Sequence, residues 1–509
     1  MTLETTETDC LVIRLHDSDN IVVAREELPA GCVVDGGSGT VSCREPIPAG
    51  HKLASRSIAA GEGVFKYGQL IGLASSEIAA GSLVHSHNLT MGEFDRRLAA
   101  GAEPATAVPQ QARSSLFFQG YRRADGGAGT RNHILVLSTV NCSATVCRGI
   151  ADAFRGDALE AFPNVDGVVA CTHAFGCMSN ARLARVLAGY ARHPNVAGFL
   201  MVGLGCESNS IGAVAASHAL PEHELARYLV IQQQGGTRST IDEGIALVRG
   251  MLPLANRCRR EPIPLSELVV GLECGGSDAY SGMSANPALG RAADLLVEQG
   301  GTAVLSETPE IFGAEHLLTH RAATPEIAER LLRLLDWWRQ YAAANGVILD
   351  NNPSAGNRAG GLTTIIEKSL GAVAKGGSSP LRGVYDYAEA LSAKGLVFMD
   401  TPGYDPASVT GMIAGGANLI CFTTGRGSVF GSKPVPSIKI ASNSRLFHNM
   451  RDDMDLDAGL VLAGEESVDS MGRIILDAVI ATASGQQTKS ELNGYGDEEF
   501  TPWHVGALL

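Results

Sequence analysis

VAGFLMVGLGCE, residues 196–207, stays apolar or small through Leu204 and then turns abruptly into Gly205-Cys206-Glu207. A strand with no polar alternation is buried on both faces, which is the environment of a parallel sheet covered by helices. The same pattern recurs in HILVLSTV (133–140), VDGVVACTH (165–173), ARYLVIQQQ (226–234), ELVVGLEC (267–274) and TAVLSE (302–307). Between these runs lie amphipathic stretches such as ATVCRGIADAF (144–154), ARLARVLAGYA (181–191) and LGRAADLLVEQG (289–300). Strands alternating with helices predict an α/β body of doubly wound, Rossmann-like parallel sheets, with right-handed crossovers bringing the strand C-termini to one edge. The last third repeats the arrangement in GLVFMDTPGYD (395–405), ANLICFTTGRGSVFGS (417–432) and PSIKIASNS (436–444). The reading divides the body into a central α/β domain (120–350) and a C-terminal α/β domain (351–509).

The first ninety residues differ. An apolar residue followed by x-Ala-Gly recurs at 28–31, 47–50, 58–61 and 78–81, each time leading into a short apolar run. Short strands punctuated by Gly turns predict a small all-β module over residues 1–92, with 93–119 as a linker. If 84–87 is a strand, His85 and His87 share one face of it, and His51 follows a turn nearby in sequence. Three neutral imidazoles suit a borderline divalent metal. Two polar residues on a solvated strand face are the competing reading.

Composition narrows the function. With 54 acidic and 40 basic residues the net charge is −14, which argues against broad nucleic-acid or anionic-membrane binding. The start MTLETTETDCLVIRL lacks a basic n-region and apolar run, so it does not read as a secretory signal, and no apolar stretch approaches ~20 residues. A cytoplasmic compartment with reduced thiols is the expectation for the eleven cysteines. Five of them sit at strand ends beside Gly, Ser, Glu or Asp: Cys142, Cys171, Cys177, Cys206 and Cys274. In an open parallel sheet ligands bind at the carboxyl edge near a switch in strand order, so this edge is expected to form part of an active site.

Motif spacing excludes several chemistries. Gly203-Leu204-Gly205-Cys206-Glu207-Ser208 and Gly425-Arg426-Gly427-Ser428-Val429-Phe430 both lack the third glycine of a dinucleotide fingerprint, and no GxxxxGK[ST] occurs, so no nucleotide cofactor is expected. There is no GxSxG elbow and no CxxC pair. An iron–sulfur cluster held by cysteines distant in sequence stays open. The segment 351–364, NNPSAGNRAGGLTT, is too polar and Gly-rich for core and suits a polyhydroxylated anion, although a plain surface loop is the alternative. Thr423-Thr424-Gly425-Arg426 offers hydroxyls, backbone N–H groups and a guanidinium to a carboxylate.

Taken together, Gly120-Tyr121-Arg122-Arg123-Ala124-Asp125-Gly126, Gly129-Thr130-Arg131-Asn132, Gly203-Leu204-Gly205-Cys206-Glu207, Glu273-Cys274-Gly275-Gly276-Ser277-Asp278, Asn352-Pro353-Ser354 with Gly356-Asn357, and Thr423-Thr424-Gly425-Arg426-Gly427 resemble the altronate/galactarate dehydratase family of sugar-acid hydro-lyases over nearly the whole chain. Gly50-His51-Lys52 and Lys66-Tyr67-Gly68 look like the SAF-type β-clip domain of those enzymes. Val84-His85-Ser86-His87-Asn88 and the segment 308–315 look closer to altronate than to galactarate dehydratase.

The resemblance implies dehydration of a small sugar acid to a 2-keto-3-deoxy product, dependent on a divalent metal, Fe2+ with Mn2+ as the alternative. The catalytic candidates are His173, Glu207, Asp278, Cys206 and Cys274, the base being His173, Glu207 or Asp278. The substrate-binding candidates are Arg131, Asn132, Ser277, Asn357, Arg358, Thr423, Thr424 and Arg426. His51, His85 and His87 are the expected metal ligands, with Glu207 or Glu273 as a carboxylate alternative. A related sulfo-lyase, a nicotinamide-dependent oxidoreductase and a non-catalytic sugar-acid-binding protein are the competing readings. A homodimer is a further possibility.

Overall fold

The computed structural model describes residues 11–92 and 115–505. Most of the expected linker (93–114) lies outside that range, and its last residues do not behave as linker, because Phe117–Arg122 is a strand.

Residues 11–92 form the all-β module. Val12–Ile13, Ile21–Ala24, Lys52–Ala54 and Leu83–Val84 make one antiparallel sheet, and Gly63–Lys66, Gln69–Ala74 and Leu89–Thr90 another. The sequence repeat has a structural counterpart. Its apolar residues are buried and bridge in pairs, Leu28 to Ile47 and Ile58 to Ile78. Its glycines Gly31, Gly50, Gly61 and Gly81 all have φ between 79° and 84°, a turn conformation that an L side chain resists.

The body contains two parallel sheets. The smaller has the order Gly167–Cys171, His133–Ser138, Val196–Gly203, Ala226–Val230. Pairing of Phe117–Arg122 with Arg260–Pro264 closes the chain entering and leaving this unit. The larger sheet has seven strands in the order Leu381–Tyr385, Gly395–Met399, Thr302–Leu305, Val269–Cys274, Leu419–Thr424, Ser437–Ala441, Leu456–Asp457, all parallel. The division expected at residue 350 therefore falls elsewhere. Val269–Cys274 and Thr302–Leu305 are the middle of the second sheet, because apolar runs alone do not say which sheet a strand joins.

Each sheet is covered on both faces. Ala285–Glu298 and Val468–Ala483 pack together against the larger sheet, and Asp405–Gly415 on the other side meets Ala181–Ala191 of the smaller unit. At that contact a Cβ on Gly189 would stand 2.3 Å from the Ala414 carbonyl oxygen, so only glycine permits the approach. No helix among the described residues is long and apolar enough to cross a membrane.

Candidate active site at the carboxyl edge of the large sheet

In the seven-stranded sheet the order reverses between Val269–Cys274 and Leu419–Thr424, which is where an open α/β sheet leaves a crevice beyond its strand ends. Two Gly-rich turns are laced together there. Gly425 and Arg426 donate their N–H groups to the Gly276 carbonyl at 3.1 and 2.9 Å. Asp278 fills the space beneath, accepting from Ser281, Ser442 and Asn443, and a Cβ on Gly425 would collide with its carboxylate. Burial raises the Asp278 pKa, against which these donors act. Arg426 is exposed and its guanidinium makes no ion pair among the described residues, so it is free for an anion. Ser277 is buried, and among the described residues the Arg358 guanidinium reaches only the Pro353 and Asp350 carbonyls. Asn357, Thr423 and Thr424 are spent on the framework, on the Ser277 carbonyl, Asn286 and Gly427 respectively.

Behind this rim lies a cluster of acids. Glu273 and Cys274 end one strand; Glu307 and Glu310 follow Thr302–Leu305; Asp405 opens the helix Asp405–Gly415. Ligand atoms of Cys274, Glu307 and Glu310 all lie within 4.8 Å of one another, as do those of Glu273, Glu307 and Asp405. Lys375 meets Glu307 at 3.2 Å and Lys368 meets Glu310 at 2.6 Å. Four carboxylates thus face two ammonium groups. Burial, then Glu307, holds the Glu273 carboxyl well above its ordinary range. Burial, then Glu307 and Glu310, pushes Asp405 up to about 7, while burial pushes the Cys274 thiol up to about 12. Glu310 is lowered, because Lys368 outweighs its burial. Glu273 Oε1 and Glu307 Oε1 are buried with no hydrogen-bond partner. Buried polar atoms are rarely left so, and a hard or borderline divalent cation is the partner this donor set fits.

The β-module docks over the same edge. Lys52 and Lys66 both reach Glu367, fully buried, and Lys52 also donates to the Gly361 carbonyl at 2.7 Å. His51 and His85 stack with centroids 5.4 Å apart. Carbonyl partners fix their tautomers. His51 Nδ1 must donate to the Ala49 carbonyl, leaving a lone pair on Nε2 that makes no hydrogen bond among the described residues. His85 Nε2 donates to the Arg358 carbonyl and Nδ1 faces Ser86, so both its nitrogens are engaged. Burial lowers both imidazole pKa values and keeps the rings neutral. His87 does not join them. Residues 85–88 form a turn closed by Asn88 and Leu89 N–H on the His85 carbonyl, which breaks the strand alternation and leaves His87 exposed.

Other expected site residues lie elsewhere. His173, Glu207 and Cys206 are on the carboxyl edge of the smaller sheet. His173 donates from Nε2 to the Ser138 carbonyl and accepts the Phe175 N–H at Nδ1, so no lone pair remains for a base. Glu207 is folded back onto Thr139 and the Gly205 N–H. Arg131 and Asn132 precede the strand His133–Ser138 and sit at its opposite end. Arg131 spends its donors on Glu491 and the carbonyls of Thr130, Thr482 and Gln486, and Asn132 is bonded to Arg123, Asn164 and Ala255. Glu307, Glu310, Asp405, Lys368 and Lys375 were not singled out from sequence. The strand-end rule marks Glu307 and Asp405 as readily as Cys274, and Lys368 and Lys375, two helical turns apart, stand out in the apolar stretch IIEKSLGAVAK (365–375).

Comparison with known proteins agrees with this layout. Residues 10–92 match the altronate/galactarate dehydratase SAF domain, 120–256 the second domain of D-galactarate dehydratase/altronate hydrolase, and 265–508 the D-galactarate/altronate dehydratase C-terminal domain. The altronate dehydratase of Bacillus subtilis (strain 168) is 35% identical over 95% of this chain and 97% of its own length, and that of Escherichia coli (strain K12) is 37% identical with the same coverage. The galactarate dehydratase (L-threo-forming) of E. coli K12 is 36% identical over 93% of each chain. The fold and these relatives define an enzyme of the hydro-lyase class. The chain belongs to the altronate/galactarate dehydratase family.

Proposed function

We propose that this enzyme removes water from an altronate- or galactarate-type sugar acid and releases a 2-keto-3-deoxy acid, using the switch-point crevice of the seven-stranded sheet. The observation that supports this reading is the buried carboxylate cluster with two unpartnered oxygens, set behind a rim that carries a free arginine and covered by a module bearing a neutral imidazole.

An anionic substrate beside four carboxylates needs a local positive charge. Fe2+ or Mn2+ is the metal we assign; Glu273, Glu307 and Asp405, or Cys274, Glu307 and Glu310, would hold it. When bound it supplies Lewis-acid stabilisation of negative charge developing at the substrate carboxylate. The reaction removes the proton on C2, expels the C3 hydroxyl, which takes up a proton equivalent to the one removed and leaves as water, and lets the resulting enol become the 2-keto acid. Arg426 and Arg358 orient the anionic ends of the substrate. His51 Nε2 is the base for the C2 proton, and His85, locked by the Arg358 carbonyl, holds its ring in place. Lys368 and Lys375 fix Glu310 and Glu307 rather than bind substrate. The imidazole pair is thus assigned to proton transfer instead of metal ligation, since His85 has no nitrogen to spare.

The test is anaerobic incubation with Fe2+ and a panel of altronate, galactarate, glucarate and sulfolactate. Chelator-sensitive formation of a 2-keto-3-deoxy acid from altronate or galactarate is expected. Sulfite release from sulfolactate alone, or binding of the acids without turnover by metal-loaded protein, would overturn the reading.

A further inference from the structure

The smaller sheet ends in a second set of donors that dehydration does not use. Its neighbouring strands His133–Ser138, Gly167–Cys171 and Val196–Gly203 are each followed by a loop carrying an exposed cysteine: Cys142, Cys177 and Cys206. Every other described cysteine is buried or half-buried, so exposure is confined to this one place. The loops are tied to each other. Asn141 donates from its backbone to the Phe175 carbonyl at 2.8 Å and from its side chain to the His173 carbonyl at 3.1 Å, and the Ser208 N–H meets the Cys177 carbonyl at 2.9 Å. Desolvation, then the neighbouring Cys206, Cys142 and Glu207, push the Cys177 thiol up. This edge is again a switch point, since strand order reverses between His133–Ser138 and Val196–Gly203.

We propose that Cys142, Cys177 and Cys206 form a three-thiolate receptor for a [4Fe–4S] cluster, a centre separate from the dehydration site. A cluster and a single ion ask for different spacing. One tetrahedral zinc, with Zn–S bonds of about 2.3 Å, draws its sulfurs to about 3.8 Å apart. Cys142, Cys177 and Cys206 are not among the groups whose ligand atoms all lie within 4.8 Å of one another, the close set a single ion needs, whereas a cubane holds its thiolates farther apart. Three thiolates hold three irons and leave the fourth to water or a small oxygen donor. Cys177 also borders a cleft of ≈ 510 Å³, so the place is open to solvent and to assembly of a cluster.

The experiment reconstitutes the whole chain anaerobically with Fe2+ and sulfide, then measures iron, acid-labile sulfide, visible absorbance and the EPR signal after reduction. Roughly four irons and four sulfides per chain are expected in a cubane. They should disappear in the Cys142→Ala/Cys177→Ala/Cys206→Ala protein and persist in Cys32→Ala. Single Cys142→Ala, checked for an unchanged far-UV spectrum, separates loss of the cluster from loss of the fold. No sulfide incorporation in the wild type, one metal per chain without sulfide, or a full cluster in the triple variant would overturn the proposal. Because the readout is cluster content, its failure is distinguishable from failure of the dehydratase reading.

Discussion

Lys52 Nζ lies 3.0 and 2.9 Å from the two oxygens of Glu367, and both side chains are wholly buried. The pair joins the β-module to the helix Ile365–Ala374, whose next residue, Lys368, reaches the acid cluster at Glu310. Docking of the module and organisation of the cluster therefore share one helix.

Glu367→Gln leaves Lys52 and Lys66 buried against a neutral amide. Such half-broken buried pairs cost about 3–5 kcal/mol. The expected outcome is a lower unfolding midpoint and faster proteolytic release of residues 11–92. Burial alone would raise the Glu367 pKa, but Lys52, Lys66 and Thr363 bring it well below the ordinary value of 4.5. Its stabilisation is complete above that value and is lost as pH falls beneath it, so the wild-type module should detach in acid.

Asp405→Asn or Asp405→Ser removes one charge from a crowd of like charges and leaves the buried Lys375–Glu307 pair intact. In chelator the variants should be as stable as the wild type or more so, since Asp405 is already pushed up to about 7 by burial and by its neighbours. Metal should stabilise them far less. Wild type at metal concentrations near 100 Kd gains about 2.7 kcal/mol by linkage. Thermal shift with and without Mn2+ measures both effects.

His51→Gln should lower kcat about 10²–10⁴-fold, the usual contribution of a positioned base. His87→Gln should leave kcat and stability nearly unchanged, because its side chain is exposed on a turn. Steady-state kinetics on the two variants separates these cases.

Arg131→Met should destabilise the protein by about 3–5 kcal/mol while the folded fraction keeps its KM, because Arg131 pairs with Glu491 at 2.6 Å at the far end of its strand. A raised KM at unchanged stability would restore it to substrate binding.

Burial lowers His173 and His193 to about 4, each donating to a carbonyl from Nε2. Unfolded imidazoles take up protons below 6.5, so the stability tied to these two is present above that value and falls between 6.5 and 4. Each should contribute roughly 1.4 kcal/mol per pH unit within that window. Denaturant midpoints at pH 7 and pH 5 check it.

Much of this architecture was legible in the sequence for identifiable reasons. Apolar runs such as 196–204 and the x-Ala-Gly repeat report burial and turn conformation directly, and both are local properties. The site was legible only where it coincided with strand ends, as at Cys274, Ser277 and Arg426. Sheet membership was not legible, and so the chemistry of two separate edges, His173 and Glu207 on one and Asp278 on the other, read as a single site. The partner of a polar residue was equally hidden. Arg131 in a motif looks like an anion receptor until Glu491, far along the chain, is found against it.

The most direct test is anomalous diffraction from crystals grown with Mn2+ and the sugar acid that is turned over. Manganese is expected among Glu273, Glu307, Glu310 and Asp405, with the substrate carboxylate near Arg426 and its C2 within reach of His51 Nε2. Manganese and substrate bound together at the carboxyl edge of the four-stranded sheet, with the acid cluster empty, would contradict it.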